Sequence, residues 1–381
     1  MKKLQLKEKT LYYTKKTKPH TNKHVIITAI CLALFICVFT LFENILAKPA
    51  SIAEEKQNDD ILTAAMVGDI MMGRHLESVT ARHGSEYLFR YLKDFLRETD
   101  YVTGNFEHPV INSSNYDEAD KNIHLSTDKE AVETLNDVGF TVLTLANNHT
   151  MDYLEEGYHD TVDAFETGNL SYVGFGDNLE ELQSVHYETI NDLTVATLGF
   201  TDIAPGPVSQ VSPGVIPLDP ELFMPLIAEA REQADLVFVH AHWGQEYDSG
   251  VTTRQRELAK AMSDAGADVI IGHHPHVLSS FDVYNDTVIF YSLGNFIFDQ
   301  GWSRNKDSAI VHYTLTESGE GLFEITPLRM KEGTPRPTSN PYYKSRIFRA
   351  LTKHTSDSVN WKKKGSKIII EVDHTFLLKR E

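Results

Sequence analysis

Five short apolar runs in this sequence are each followed directly by side chains that can bind metal ions. The runs cover residues 64–67, 101–102, 142–145, 236–239 and 269–271. Side chains at the carboxyl ends of neighbouring strands meet in one crevice of an open α/β sheet. One histidine at a strand end is an ordinary hydrogen-bonded residue, but five successive cases favour a shared site. The chain is therefore expected to adopt an α/β fold that brings these strand ends together.

The side chains concerned are carboxylates, amides and imidazoles. In chain order they are Asp69, Asn105, Glu107, Asn148, His149, His240, His242, His273, His274 and His276. Both cysteines, Cys31 and Cys37, lie far from this series, so a thiolate metal site is excluded there. Oxygen and nitrogen ligands of these kinds suit Zn, Mn or Fe. Two such ions close together would polarise a phosphoryl group and activate water. The residue types permit this chemistry, but the sequence does not demonstrate it.

The two acidic candidates each have an alternative interpretation. Asp69 follows a strand and a glycine, so it is predicted to be a metal ligand, although Asp is also a favoured helix N-cap. Glu107 is predicted to be a ligand after the next strand, and otherwise it is an exposed surface carboxylate. Asn105, two residues earlier, is the competing ligand at this strand end.

A polar pair follows the very apolar run 142–145. Asn148 offers a neutral amide oxygen as a ligand, and the adjacent His149 offers an acid/base group. Asp152 lies one helical turn beyond His149 and is placed to orient its ring. The alternative is a turn asparagine beside a structural histidine.

The remaining imidazoles occur in two closely spaced groups. His240 and His242 are two residues apart, so on a strand they face the same side; His242 is the predicted ligand and His240 the structural residue. His274 and His276 are separated by one proline, a spacing that can serve two neighbouring metal ions. His273 is predicted to support the ligands from outside.

The N-terminal region predicts a membrane anchor. Residues 1–24 contain eight lysines against Glu8, and residues 25–42 form an uncharged apolar stretch of 18 residues, enough to cross a bilayer as a helix. Lysines before the span predict a cytoplasmic N-terminus and an extracellular remainder. A cleaved signal peptide is the alternative. Residues 43–60 are expected to form a linker.

Charge is unevenly distributed along the rest of the chain. Residues 25–381 carry a net charge of −25, which argues against nucleic acid as a partner. Residues 329–367 reverse this pattern, with eleven Lys and Arg against Glu332 and Asp357. The predicted main domain, residues 61–330, is therefore followed by a basic tail, residues 331–381. This tail is either solvated surface or a contact for anionic lipid or an acidic polymer.

Strand-like and helix-like runs alternate from residue 61, as in layered α/β proteins. Strands are predicted at residues 62–67, 101–103, 141–145, 171–173, 194–198, 236–239 and 269–271. Helices are predicted at residues 86–97, 128–138, 157–167, 220–233 and 253–265. After residue 276, close-set runs at 279–284, 287–291, 309–315 and 322–325 predict an antiparallel sheet that completes the domain. The tail is predicted to hold a helix near 343–352 and a strand at 367–372.

These motifs make the chain resemble the CapA family of capsule-synthesis proteins from bacterial poly-γ-glutamate production. The matching stretches are residues 67–74, 104–109, 146–153, 242–247, 272–278 and 291–300. That family looks like a branch of the calcineurin-type metallophosphoesterases. The resemblance implies a metallophosphoesterase-like layered sandwich, with two mixed β-sheets flanked by helices, beside one N-terminal transmembrane helix.

The resemblance also implies roles for individual residues. It assigns the metal ligands as Asp69, Glu107 or Asn105 as the bridging acid, Asn148, His242, His274 and His276, with His149 as the catalytic histidine. One departure matters, because Met71 stands where phosphoesterases have a histidine. A thioether is a poor ligand for a hard dication. One metal position is therefore expected to be weakened or empty, and phosphatase activity is in doubt.

The function implied is that of an accessory subunit of the membrane-bound poly-γ-glutamate synthase. It would act beside an ATP-dependent ligase subunit and a small multi-span subunit, in polymer synthesis, export or surface retention. The alternative is a surface metallohydrolase that cleaves a phosphoester or an amide during capsule maturation. Residues 43–328 hold 48 acidic and 15 basic side chains, so this body repels a polyglutamate chain. Attraction must come from bound metal, from local cations such as Arg74 and Arg304, or from the basic tail.

Overall fold

The computed structural model describes residues 6–18, 21–45, 52, 60–179, 182–203, 208–209, 212–301 and 303–378. Most of the predicted linker, residues 43–60, lies outside these ranges. The chain divides into two compact units, Met1–Lys48 and Pro49–Glu381.

The first unit is helical. It contains α1 (Leu6–Thr17) and α2 (Thr21–Ile45), and the apolar stretch at residues 25–42 falls within α2. Among the described residues, no helix combines the length and apolarity that crossing a membrane requires.

The second unit contains the predicted alternation of strands and helices. Its helices are α3 (His75–His83), α4 (Lys93–Glu98), α5 (Glu130–Asp137), α6 (Leu154–Thr167), α7 (Pro220–Gln233), α8 (Thr253–Ala265) and α9 (Pro341–Thr352). Its strands are β1 (Asp60–Ile70), β2 (Tyr101–Phe106), β3 (Val142–Thr144), β4 (Ser171–Val173), β5 (Phe175–Gly176), β6 (Leu182–Gln183), β7 (Val185–Ile190), β8 (Leu193–Thr201), β9 (Gly214–Val215), β10 (Leu236–His242), β11 (Val269–His273), β12 (Phe281–Tyr284), β13 (Thr287–Phe290), β14 (Asn295–Ile297), β15 (Asp307–Thr316), β16 (Glu320–Lys331), β17 (Thr334–Pro337), β18 (Trp361–Lys364) and β19 (Lys367–Asp373).

Local sequence signals explain the helix bounds that were predicted best. Helix α7 begins after Asp219, whose side chain accepts a hydrogen bond from Glu221 N at 3.0 Å. Helix α8 begins with a capping box, in which Thr252 and Gln255 satisfy each other's backbone amides. The helix predicted at residues 86–97 is instead a 3₁₀ turn, Ser85–Phe89, followed by the short α4.

Two large mixed sheets form the body of this unit. The ten-stranded sheet has the order β18-β19-β16-β15-β1-β2-β3-β4, with β14 paired to β1 and β17 paired to β16. The six-stranded sheet has the order β12-β13-β11-β10-β8-β7. A small third sheet has the order β6-β5-β9.

Three apolar layers hold these elements together. One lies between the two large sheets and includes Met66 and Phe238. A second packs α4, α5 and α6 on the ten-stranded sheet, and a third packs α7 and α8 on the six-stranded sheet. Burial of these layers is the main stabilising contribution to the fold. The predicted layered sandwich of mixed sheets flanked by helices is confirmed.

The prediction of one antiparallel sheet after residue 276 is wrong. Strands β12 and β13 form an antiparallel hairpin, but β13 runs parallel to β11 and extends the six-stranded sheet. Strands β15 and β16 instead join the ten-stranded sheet through β1. Each of the two hairpins pairs with a strand of a different sheet. The local pattern of apolar and polar residues does not specify which sheet a hairpin joins.

Residues 331–381, expected as a basic tail, contribute structure to the second unit. Strand β19 pairs with β16 over six residue pairs, and β18 lies outside β19. Helix α9 places Ile347, Phe348 and Leu351 in the layer between the sheets. The lysine-rich segment is thus attached to the outer end of the ten-stranded sheet.

Candidate metal centre

The carboxyl ends of four parallel strands carry most of the predicted site residues. Asp69 at the end of β1 is level with Asn105 in β2. His242 at the end of β10 is level with His273 at the end of β11. Because the two sheets are stacked, side chains from both meet at this edge.

A close backbone approach fixes the position of Asp69. Its amide donates a hydrogen bond to Gly294 O at 3.0 Å. The preceding residue is Gly68, where a Cβ atom would lie 1.8 Å from the same carbonyl oxygen. A glycine is therefore required beside Asp69 so that β1 can approach the segment leading into β14.

Two groups of ligand-type side chains share one carboxylate. Glu107, His242 and His274 have ligand atoms within 4.8 Å of one another, and so do Asp69, Glu107 and His276. Glu107 therefore occupies the position of a bridging acid between two possible ion positions. His274 and His276 fall in different groups, as their spacing predicts.

Asn105 links the two carboxylates. Its side-chain amide donates to Asp69 Oδ1 at 2.9 Å and to Glu107 Oε2 at 3.2 Å. Asn147 holds it in place, because its own amide donates to Asn105 Oδ1 at 3.1 Å. Asn105 thus lies at the centre of the site, in contact with both carboxylates.

Asn148 and His149 enter from the loop after β3. Asn148 Oδ1 lies 2.9 Å from His242 Nε2, so it is within reach of the group that contains His242. His149 Nδ1 lies 2.7 Å from Asp152 Oδ2. Because an ionised carboxylate only accepts, we assign the proton to Nδ1 of His149, which leaves its Nε2 able to accept a proton.

Asp152 is fully buried and heavily hydrogen-bonded. Its Oδ2 also accepts from Leu125 N at 2.7 Å, and its Oδ1 pairs with the ammonium of Lys121. Lys121 Nζ further donates to Asn148 O at 2.8 Å. Lys121 therefore ties the orienting carboxylate to the loop that carries Asn148 and His149.

The histidines predicted to be structural form a buried chain behind the site. Thr103 Oγ1 lies 2.8 Å from His240 Nε2, and His240 Nδ1 lies 2.9 Å from His273 Nε2. His273 Nδ1 in turn lies 3.3 Å from Asp69 Oδ1. On the other side, His276 Nδ1 lies 2.9 Å from Asn295 Oδ1.

Burial and charge shift the pKa values of the central groups in opposite directions. Burial acts to raise the pKa of Asp69, but hydrogen bonds and charge from His273 and His276 hold it well below its usual range. Burial and the neighbouring Asp69 raise the pKa of Glu107 well above its usual value. Burial acts to lower the pKa of His276, but Glu107 and Asp69 raise it to about 9. A positive charge is thus favoured between these carboxylates.

The donor set fits a divalent cation. Asp69 Oδ2 and Glu107 Oε1 are buried and accept no hydrogen bond of good geometry among the described residues, although nitrogens of His276 lie 3.2 Å and 3.6 Å from them. Unpaired buried carboxylate oxygens are costly unless a cation compensates them. Carboxylate, imidazole and amide donors together suit Zn, Mn or Fe. When bound, such an ion acts as a Lewis acid towards an oxygen ligand.

Met71 makes no part of this donor set. Its side chain is fully buried in a small apolar cluster with Leu125, Phe298 and Met330. The residue that departs from the phosphoesterase pattern therefore packs against apolar side chains in the protein interior.

Sequence reasoning gave no role to three residues of the site. Asn147 and Asn295 lie in stretches that carry the family resemblance, so their position was a usable signal. Lys121 lies in the long connection between β2 and α5, where no periodicity marks it. Only the folded loop brings its ammonium to Asp152.

The fold and this cluster define a layered α/β protein with a buried carboxylate–imidazole centre able to hold metal. Residues 63–300 match the family described as "Bacterial capsule synthesis protein PGA_cap". The chain is 48% identical to the "PGA biosynthesis protein CapA" of Bacillus subtilis over 99% of both chains. It is 44% identical to the "Capsule biosynthesis protein CapA" of Bacillus anthracis over 99% of this chain and 93% of that one. A "Probable polyglutamine synthesis accessory protein" of Mycobacterium tuberculosis is 23% identical over 72% of this chain and 86% of that one. The chain belongs to the bacterial capsule synthesis protein family.

Proposed function

We propose that this protein is an accessory subunit in the synthesis, export or surface retention of a poly-γ-glutamate capsule. Similarity to capsule biosynthesis proteins along 99% of the chain supports this role. The observation that carries the proposed mode of action is the buried Glu107, shared by two groups of possible ligands. It would provide a buried site for a divalent ion (Mn, Zn or Fe).

In this proposal the chain's own residues form a site that can bind a carboxylate ligand through a cation. Asp69, Glu107 and His276 would hold one ion, and Glu107, His242 and His274 would hold the other. Asn105 donates a hydrogen bond to each of the two carboxylates, and the half-buried Asn148 contacts His242. When bound, such a cation would supply the attraction for a polymer carboxylate that the acidic body lacks.

A second candidate, a surface metallohydrolase, is favoured by one specific observation. His149 is oriented by Asp152 through a 2.7 Å contact, the arrangement of an acid/base histidine with its carboxylate. Burial lowers the pKa of His149 against the opposing effect of Asp152, so the ring is neutral and able to accept a proton at pH 7. In this role it would exchange a proton with a phosphoester or amide substrate.

One pair of replacements separates these functions. In cells that depend on this gene for capsule, Glu107→Gln should abolish polymer accumulation, whereas the exposed Glu257→Gln on α8 should leave it unchanged. His149→Ala should leave polymer accumulation intact if the protein is an accessory subunit. Loss of polymer with His149→Ala, together with loss of turnover of a generic phosphodiester or γ-glutamyl amide by purified protein, would establish the hydrolase instead.

We also propose a location and partners. Residues 25–42 would anchor the chain, with the lysine-rich residues 1–24 in the cytoplasm and the second unit outside the cell. This location would place it beside the ligase and multi-span subunits of the synthase. Support comes from the apolar stretch that follows eight lysines. Protease added to intact cells should remove a C-terminal tag and spare an N-terminal one; protection of both tags would contradict the proposed orientation.

A further inference from the structure

A cluster of cations lies on the outer end of the ten-stranded sheet, apart from the metal centre. Residues 349–367 hold six Lys and Arg and a single carboxylate, Asp357. Arg349 on α9, Lys353 directly after the end of α9 and Lys363 on β18 are exposed. We call Arg349, Lys353 and Lys363 the basic face.

Tertiary contacts bring the two parts of this face together. Lys363 Nζ lies 5.7 Å from the ring centre of Phe348, which precedes Arg349 on α9. Just beyond Lys353, His354 N donates to Ser280 Oγ at 2.8 Å. Phe281 follows Ser280 in the chain, and the centre of its ring lies 6.2 Å from that of Trp361 at the start of β18. The end of α9 and strand β18 are therefore neighbours.

The positive charge of the basic face is not cancelled locally. Among the described residues, no carboxylate forms an ion pair with Arg349, Lys353 or Lys363, whereas Glu371 is paired with Lys362. Burial and then the charges of Lys353 and Arg256 lower the pKa of His354 beside the face, against the smaller opposing effect of Asp248. A positive potential therefore exists on a protein whose net charge is −18.

The edge of the sheet is open at this point. Strand β18 ends the ten-stranded sheet, and no described strand pairs with its outer side. Lysines on an edge strand also discourage pairing with other sheets. That role accounts for cations on β18, but it does not account for Arg349 on the adjacent helix or for Lys353 at the end of that helix.

We propose that the basic face is a docking surface for a carboxylate-rich polyanionic chain. The inference rests on the proposed function, under which that chain is poly-γ-glutamate. A γ-linked glutamate polymer has one free carboxylate per residue, so a row of cations can bind it without recognising a chain end. The acidic surface around the basic face repels the polymer elsewhere and confines it to this end of the sheet.

The test is binding of full-length purified protein to poly-γ-glutamate of defined length. The triple variant Arg349→Gln, Lys353→Gln, Lys363→Gln should weaken binding by on the order of tenfold or more at low salt and flatten its salt dependence. A matched variant, Arg82→Gln, Lys129→Gln, Lys331→Gln, makes the same charge change at exposed positions on other elements. It should bind like the unchanged protein.

Several outcomes would overturn the inference. They are equal loss of affinity in both triple variants, unchanged affinity in the basic-face variant, or no binding by the unchanged protein. Loss of binding to anionic vesicles, with polymer binding kept, would assign the face to a membrane and also overturn it. Lys363→Met, which keeps the packing over Phe348, replaces the triple variant if that variant unfolds at a lower temperature. None of these outcomes bears on the capsule role itself, which the Glu107→Gln replacement tests separately.

Discussion

Replacing Lys121 by methionine removes the cation that pairs with the fully buried carboxylate of Asp152. The side chain of Lys121 is 20% exposed and that of Asp152 is not exposed. Breaking a buried ion pair from one side costs about 3–5 kcal/mol, because the remaining charge stays buried without its partner. Asp152 keeps its hydrogen bonds from Leu125 N and His149 Nδ1, and Lys121 is partly screened by solvent. We therefore expect a loss of about 2–4 kcal/mol in the free energy of unfolding.

The assay is thermal and urea unfolding of the full-length protein as a double-mutant cycle. Lys121→Met, Asp152→Asn and the double variant should show a coupling of at least about 1.5 kcal/mol, because each single change strands the other partner. The control Lys129→Met lies on an exposed position and should change stability by no more than about 0.5 kcal/mol. A cost below about 1 kcal/mol for Lys121→Met, or additive effects in the cycle, would refute the buried ion pair.

Three further changes test other parts of the structure. Gly68→Ala should lower the unfolding temperature and the metal content of the protein, because the added Cβ would lie 1.8 Å from Gly294 O. Gly301→Ala is the neutral control, since an added Cβ there meets no atom within 4 Å. Equal effects of the two replacements would contradict the close backbone approach at Gly68. Met71→His should lower the free energy of unfolding by about 2–3 kcal/mol without raising the metal content, because it buries an unpartnered imidazole among apolar side chains. Met71→Leu should lower it by less than about 1.5 kcal/mol. A gain of bound metal in the histidine variant would show that position 71 reaches the metal centre. Burial lowers the pKa of His374 from 6.5 to about 4, so the unfolded state binds more protons than the folded state between these pH values. The free energy of unfolding should therefore fall by about 3 kcal/mol as the pH drops from 6.5 towards 4. His374→Gln should reduce that slope by up to one proton, and an unchanged slope in chemical unfolding would contradict its neutral burial.

Much of the candidate site could be predicted from sequence because strand ends are easy to recognise. An apolar run that stops at Asp69 or at His242 marks both the strand and the edge where it ends. Parallel strands then bring such residues together without further information. The spacing of His274 and His276 likewise indicated that they can serve two neighbouring ions, and in the structure they fall in different groups of possible ligands.

Other features could not be predicted, because they depend on which segments meet in space. The sequence pattern predicted the strands after residue 276. It did not predict that β13 extends the six-stranded sheet and β15 the ten-stranded sheet. Lys121 carries no local signal, since its role depends on the loop path that delivers it to Asp152. Met71 was expected to weaken a metal position, and its packing against Leu125, Phe298 and Met330 became visible only in the fold.

By itself, the sequence determined the chemistry available at the centre: carboxylates, amides and imidazoles at strand ends, with thiolates excluded. Tertiary structure decided how these side chains are distributed between two groups of possible ligands. Glu107 is shared because β2 lies between β1 and β3 while the six-stranded sheet stacks against them. The lysine-rich segment became a defined face for the same reason, since α9 and β18 meet only where the sheet ends. Residue types follow from the sequence, but distances between residues far apart in the chain follow from packing.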